Sequence, residues 1–192
     1  MKNIHSQETG RSMVEMLGVL AIIGVLSVGG IAGYSQAMSK FKVTKAMDQV
    51  QNIIQNIRTL YASQRTYSPL KGASAYSIGI LTDESYNSSS SAGLNPFGGA
   101  VKFGAAADGR SFFVSYEGLT VEACVKMATA DWGADASSGL ISISIGGTLT
   151  DGTNEATAWT NTYNWTANTL PVDVTTATDK CSATGSVMWQ YR

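Results

Sequence analysis

At 192 residues the chain holds one ordinary domain with room for an appendage. A formal net charge of −1 gives no electrostatic case for nucleic acid or an acidic partner. A hydrophobic content of 44% with 20 glycines suits a β-rich extracytoplasmic domain carrying something apolar, and a single histidine, His5, argues against zinc.

The first ten residues are polar, with Lys2, His5 and Glu8, and end in Gly10. Arg11-Ser12-Met13-Val14-Glu15 follows, and then a run from Met16 to Gly33 in which Ser27 is the one polar side chain and charge is absent. About 20 apolar residues cross a bilayer core, so residues 16–39 are long enough to span one. A signal peptide is the competing reading, with Ser27-Val28-Gly29 as its small-x-small site. Glu15 stands against it: an acid lies at the lip of the apolar run, where signal peptides carry basic residues.

Beyond the run, Val43, Met47, Val50, Ile54, Ile57 and Tyr61 recur in alternating steps of four and three, thickened by Ala46, Ile53 and Leu60. Lys45, Asp48, Gln51, Asn52, Gln55 and Arg58 occupy the other face. This is an amphipathic helix with a wide apolar stripe. With no proline before Pro69, one helix is predicted from Met13 to Ala62, its first half in lipid and its second half packed on a globular head.

From Ser63 the texture turns to Ser, Gly, Tyr and Asn, and Asn87-Ser88-Ser89-Ser90-Ser91 is the most loop-like stretch. Asn95-Pro96-Phe97-Gly98-Gly99 is turn chemistry. Residues 101–103 and 112–116 read as a strand pair around the Asp108-Gly109 turn. Thr120 caps a short helix running to Ala130 and carrying Cys124. Within residues 140–145, Ile141, Ile143 and Ile145 alternate with Ser142 and Ser144, which predicts a half-buried strand. Residues 146–169 read as loop or edge strand. Residues 186–191 alternate Val187, Trp189 and Tyr191 and close the sheet. The expected fold is α+β. Cys124 and Cys181 are the only cysteines; in an exported protein one disulfide is the default, with two buried free thiols as the alternative.

The polar leader, its terminal Gly10, the acid Glu15 five residues on and the long apolar helix together resemble the N-terminal signal of type IV prepilins. The resemblance covers about the first 60 residues. It implies cleavage between Gly10 and Arg11 by a prepilin peptidase, which leaves a cationic amine on Arg11. It also implies that Glu15 meets that amine on a neighbouring subunit and sets its axial register. A lone carboxylate in an apolar zone costs a few kcal/mol unless paired or protonated, so such an acid needs a partner. The bland reading of Glu15 is a solvated acid at headgroup level. Two departures from the family stand out. Arg11 replaces the usual apolar first residue, so N-methylation does not follow. Gly29, Gly30 and Gly33 occupy the region where the commonest members bend at proline. The positive-inside rule does not support the implied orientation, because Lys40, Lys42, Lys45 and Arg58 follow the span on its outer side.

The C-terminal half adds a second resemblance. Two cysteines enclosing 56 residues, Cys124 on a helix and the Asn95 turn resemble the disulfide-bounded region of type IVb pilins. The implied organisation is a leader (residues 1–10), a helix (11–62, with 16–39 in membrane or filament core) and a head (63–192) braced across 124–181.

No catalytic arrangement is visible, since cleavage would leave a chain without histidine. Asp83 and Glu84 read as solvated loop charges. The run from Asp151 to Glu155 has oxygen ligands in a turn but lacks calcium-loop spacing. Trp132, Trp159 and Trp165 offer a sugar-binding patch or, more simply, sheet packing. The expectation is a cofactor-free, non-enzymatic major pilin. It would be inserted in a bacterial inner membrane and then polymerised with copies of itself by the pilus assembly machinery into a surface filament. A type II secretion pseudopilin or minor pilin is the alternative within the fold. A membrane-tethered sugar-binding module that never polymerises is the alternative outside it.

Overall fold

The computed structural model describes residues 9–68, 70–133, 138–152, 161–167 and 169–192. It divides into two compact units, Met1–Phe41 and Lys42–Arg192, the second of which is called the head below. Helix α1 spans Thr9–Tyr61 and contributes to both. Most of the predicted stripe is buried: Val43, Ala46, Val50, Ile53, Ile54 and Ile57 join the main core of the head, Met47 and Tyr61 pack against it partly buried, and Leu60 is instead exposed.

After α1 come a short helix α2 (Gly72–Ser77), a 3-10 turn (Asp83–Ser85) and strands β1 (Tyr86–Asn87) and β2 (Ala92–Leu94). Strands β3 (Ala100–Ala105) and β4 (Phe112–Tyr116), helix α3 (Val121–Thr129) and strands β5 (Leu140–Ile145) and β6 (Asn161–Asn164) follow. Helix α4 (Val174–Thr184) and strand β7 (Val187–Tyr191) complete the order. The seven strands make one antiparallel sheet in the order β1-β2-β3-β4-β7-β5-β6. The expected hairpin is present as β3–β4, with Val101 opposite Tyr116 and Ala105 opposite Phe112.

Two expectations need correction. Strand β7 does close the sheet, but from inside: it lies between β4 and β5, where Trp189 is fully buried. Strand β5 is not half-buried. Ser142 and Ser144 are as enclosed as Ile143 and Ile145, and more so than Ile141, because residues of the flanking strands take their hydroxyls. Ser142 Oγ donates to Gln190 Oε1 at 3.0 Å, and Ser144 Oγ shares a hydrogen bond with Thr162 Oγ1 at 2.9 Å. The register shift near residues 140–142 breaks the simple alternation. The edge strand expected within residues 146–169 is β6, at the border of the sheet; residues 153–160 lie outside the described residues.

Both faces of the sheet centre are covered, which explains why every residue of β4 is buried. Phe103, Phe112, Val114 and Trp189 pack with α1, while Phe113, Leu149 and Met188 form a smaller cluster of their own. The Asn95 turn is organised by a single buried side chain. Asn95 Oδ1 accepts the N–H groups of Phe97 (2.9 Å) and Gly99 (3.0 Å), and its Nδ2 donates to the Glu117 carbonyl at 2.8 Å. Such an Asn satisfies a whole turn and ties it to the end of β4.

Candidate assembly segment and disulfide-bounded region

In the first unit, α1 presents apolar residues on every side. Met13, Leu17, Leu20, Ile23, Val25, Leu26 and Ile31 are all largely exposed. No face of the segment is polar, so this is not the surface of a soluble helix. By length and composition it can cross a membrane. Its one polar side chain between Met16 and Gly33 is satisfied locally, since Ser27 Oγ donates to the Ile23 carbonyl at 2.7 Å. Glu15 sits exposed among Met13, Val14, Met16 and Leu17. Gly10 and Arg11 fall within the helix span.

The second constellation lies in the head. Cys124 of α3 and Cys181 of α4 form a disulfide with Cα atoms 5.8 Å apart. Both sulfurs are buried in the main core. Closing a loop of this separation, 57 residues, is worth about 4 kcal/mol in the chain-entropy model. Each helix has its own start signal. Thr120 Oγ1 accepts the Ala123 N–H at 3.3 Å, the cap expected from the sequence. Asp173 Oδ2 accepts the Thr176 N–H at 3.1 Å. That backbone hydrogen bond is the main reason the Asp173 carboxyl lies below its ordinary value of 3.8.

Helix α4 ends at Gly185 in the left-handed conformation (φ 54°), and a Cβ there would meet the Leu119 carbonyl oxygen at 2.3 Å. Leu119 N–H donates to the Gly185 carbonyl at 2.8 Å, so the exit of α4 is fastened to the entrance of α3. The two disulfide-bearing helices are therefore held at a second point.

Residues weighed for other chemistry take structural places. Trp132 is buried, its Nε1 donates to the Met127 carbonyl at 2.6 Å, and its ring meets Trp189 edge-on at 4.9 Å. Trp165 is partly buried, and Trp159 lies outside the described residues. Trp132 thus serves sheet packing rather than a sugar platform. Asp151 fastens loops: its carboxylate accepts the N–H of Gly72 (2.8 Å) and of Phe103 (2.9 Å). Asp83 accepts the Tyr76 hydroxyl at 2.7 Å and Glu84 stands 3.3 Å from Lys45, so these exposed charges have partners on the surface.

Sequence reasoning did not single out Arg58, which anchors the end of α1. It donates to the Ser138 carbonyl at 2.8 Å and the Arg192 carbonyl at 3.1 Å, and lies over the Tyr191 ring at 5.9 Å. A Cβ at Gly139 (φ 82°) would meet its guanidinium at 2.0 Å, so glycine leaves the room that the clasp needs. Only its position in the last helical turn hinted at this role.

The family model described as PilS N terminal matches residues 40–190, which is the head rather than the apolar segment before it. The chain is 26% identical over 181 residues to a protein of Escherichia coli O127:H6 named major structural subunit of bundle-forming pilus, covering 93% of this chain and 90% of that one. A protein of the same name from Escherichia coli O111:H- is 27% identical over 181 residues. The crystal structure of TcpA, a type IV pilin from Vibrio cholerae El Tor biotype, superposes with a TM-score of 0.53. That likeness covers 78% of this chain and 97% of the other at 15% identity, and is a likeness of fold.

Proposed function

This chain belongs to the PilS N-terminal family, and from that premise we propose that it is a type IVb pilin, the repeating structural subunit of a bacterial surface filament. Its family is one of structural subunits and not of enzymes. The relatives named as major structural subunits favour a major pilin over a minor pilin or a secretion pseudopilin. The observation that carries the reading is that the segment of α1 in the first unit has apolar residues exposed all round, whereas the head buries its own core. Such a segment needs cover from outside its own chain: lipid in the precursor, and the same segment of other copies in the filament.

A prepilin peptidase cuts between Gly10 and Arg11, and the assembly machinery of the inner membrane adds the subunit to a growing filament. Glu15 supports this reading, since it is one carboxylate in an otherwise apolar and exposed stretch. In the filament it is neutralised by the Arg11 amine of a neighbour, by the Arg11 guanidinium, or by both, which removes the cost of an unpaired acid in apolar surroundings. Copies joined through such heterologous contacts make a helix rather than a closed ring.

The test is filament yield from Glu15→Ala and Glu15→Gln at equal subunit levels. Both variants are expected to insert and fold, because neither change touches the head, and to give few or no filaments in sheared fractions viewed by electron microscopy. Normal yield from both would refute the pairing. N-terminal mass spectrometry of sheared material is expected to find a chain beginning at Arg11; a start after Gly29, or a retained Met1, would refute the cleavage.

A further inference from the structure

The arginines of the head are sorted by place, and none of them pairs with a carboxylate among the described residues, whereas four of the six head lysines do. Among the described residues, Lys45, Lys102, Lys126 and Lys180 each pair with a carboxylate, on Glu84, Glu117, Glu122 and Asp179 respectively. None of the four head arginines, Arg58, Arg65, Arg110 and Arg192, makes such a pair among those residues. All four gather where α1 ends. Arg58 lies in the last turn of α1 and donates to the Arg192 carbonyl. Arg192 flanks one cleft of about 420 Å³ with Arg58 and a second of about 400 Å³ with Arg110, and Ile141 lines both. Arg65 precedes Thr66 and Tyr67, and Tyr67 N–H donates to the Gly109 carbonyl beside Arg110. Two acids lie at this end: Asp108, which lines the second cleft beside the two arginines, and Asp131; each has one oxygen on a backbone N–H, that of Arg110 (2.9 Å) and of Gly133 (3.0 Å).

The opposite end of the head portion of α1 carries Asp48, Asp83 and Glu84 together with Lys42 and Lys45. Lys45 and Arg58 are thirteen residues apart, about 20 Å along a helix. Here the acid is the more exposed partner of the ion pair: the Glu84 side chain is 83% exposed and its Lys45 partner 51%. A pair this open contributes little and exchanges readily. A guanidinium fork, by contrast, suits a carboxylate that approaches from outside.

We propose that the cleft around Arg110, Arg192 and Ile141 receives the Asp83 and Glu84 turn of a second copy of this chain, an inference that rests on the filament reading. Charge complementarity names the occupant. Head-to-tail addition sets one end of a subunit against the opposite end of the next, and the residues named at these ends carry an opposite excess of charge: four arginines against Asp108 and Asp131 at one, and Asp48, Asp83 and Glu84 against Lys42 and Lys45 at the other.

The test uses the full-length protein in filament-producing cells. The double variants R110E/R192E and D83R/E84R are each expected to lower sheared filament yield by ~10-fold at equal levels of disulfide-bonded subunit, because like charges then face each other. Combining all four changes restores most of the yield. Independently, carbodiimide treatment of R110K filaments joins position 110 to Asp83 or Glu84 in a peptide shared between two subunits. Undiminished yield from R110E/R192E alongside wild-type filaments would overturn the proposal and leave the filament reading intact. So would a fourfold variant that fails to recover together with R110K filaments that give no such peptide. If R110E/R192E filaments form normally but no longer retain duplex DNA, the cleft belongs to a polyanion and the proposal is overturned. Absence of filaments from the wild type would sink the filament reading itself.

Discussion

Val25, Val28 and Ile31 in the first part of α1 are 70–75% exposed, whereas Ala46, Val50 and Ile57 further along the same helix are 0% exposed. The backbone is helical in both, so hydrogen bonding does not separate them. The difference lies in how apolar residues are spaced. Between Met16 and Gly33 they fill every direction, and one protein domain cannot offer a groove that surrounds a helix. Beyond Val43 they keep to one stripe, with Lys45, Asp48 and Gln51 on the other side, and a single sheet face is enough to cover it. The first part depends for its cover on lipid or on other copies, and the second on the fold of its own head.

The comparison can be broken by changes that separate the two dependencies, and the largest expected effect comes from the disulfide. Cys124→Ala with Cys181→Ala should destabilise the head by about 4 kcal/mol and leave membrane insertion of the precursor unchanged. Urea unfolding of detergent-solubilised protein, followed by fluorescence of the buried Trp132 and Trp189, measures the first; fractionation measures the second. A head of unaltered stability would show that the α3–α4 fastening at Gly185 suffices alone.

Next comes a pair of matched truncations. Ile57→Ala should cost the head about 3 kcal/mol, in the range for deleting a buried aliphatic side chain. Val25→Ala should leave its unfolding midpoint in place, because Val25 is not a member of the head core. Equal effects from the two would mean that the halves of α1 are not energetically distinct.

A smaller effect is expected at Gly185. Gly185→Ala must hold a left-handed conformation and displace the Leu119 carbonyl, a cost of about 2 kcal/mol. Loss of α4 helicity without loss of the β-sheet signal in circular dichroism would place the damage in the disulfide-bounded region.

The smallest concerns pH. The Asp173 carboxyl is held below its ordinary value of 3.8 chiefly by the Thr176 N–H, so it binds protons less readily folded than unfolded. Its contribution is therefore fully present above the unfolded value and fades as the pH falls through the lower folded one. Asp173→Asn keeps a capping oxygen and should flatten the acid limb of the stability curve slightly, with no change near neutrality. An unchanged acid limb would assign that slope to other carboxylates.

Much of this was legible in the residues themselves, for local reasons. The apolar run, the stripe after Val43, the β3–β4 hairpin and the Thr120 cap each follow from period or from turn and cap chemistry within a few positions. The disulfide between Cys124 and Cys181 follows from there being two cysteines, if the chain is exported. Glu15 and the Gly10 junction are legible as a pattern, but their partner is another molecule, and no single chain displays it.

What only the tertiary structure decided was nonlocal. The Val174–Thr184 segment is rich in threonine, a poor helix former, and is helical because Asp173 caps it, Ala177 packs into the core and Cys181 is bonded to α3. The alternation of β5 suggested one wet face, but neighbours on both sides supply partners for Ser142 and Ser144, and a satisfied hydroxyl can be buried. The central place of β7, the Arg58 clasp and the gathering of four arginines at one end join positions far apart in the chain. Periodicity reports only which way a side chain points along its own segment; which distant segment meets it is settled when the core closes.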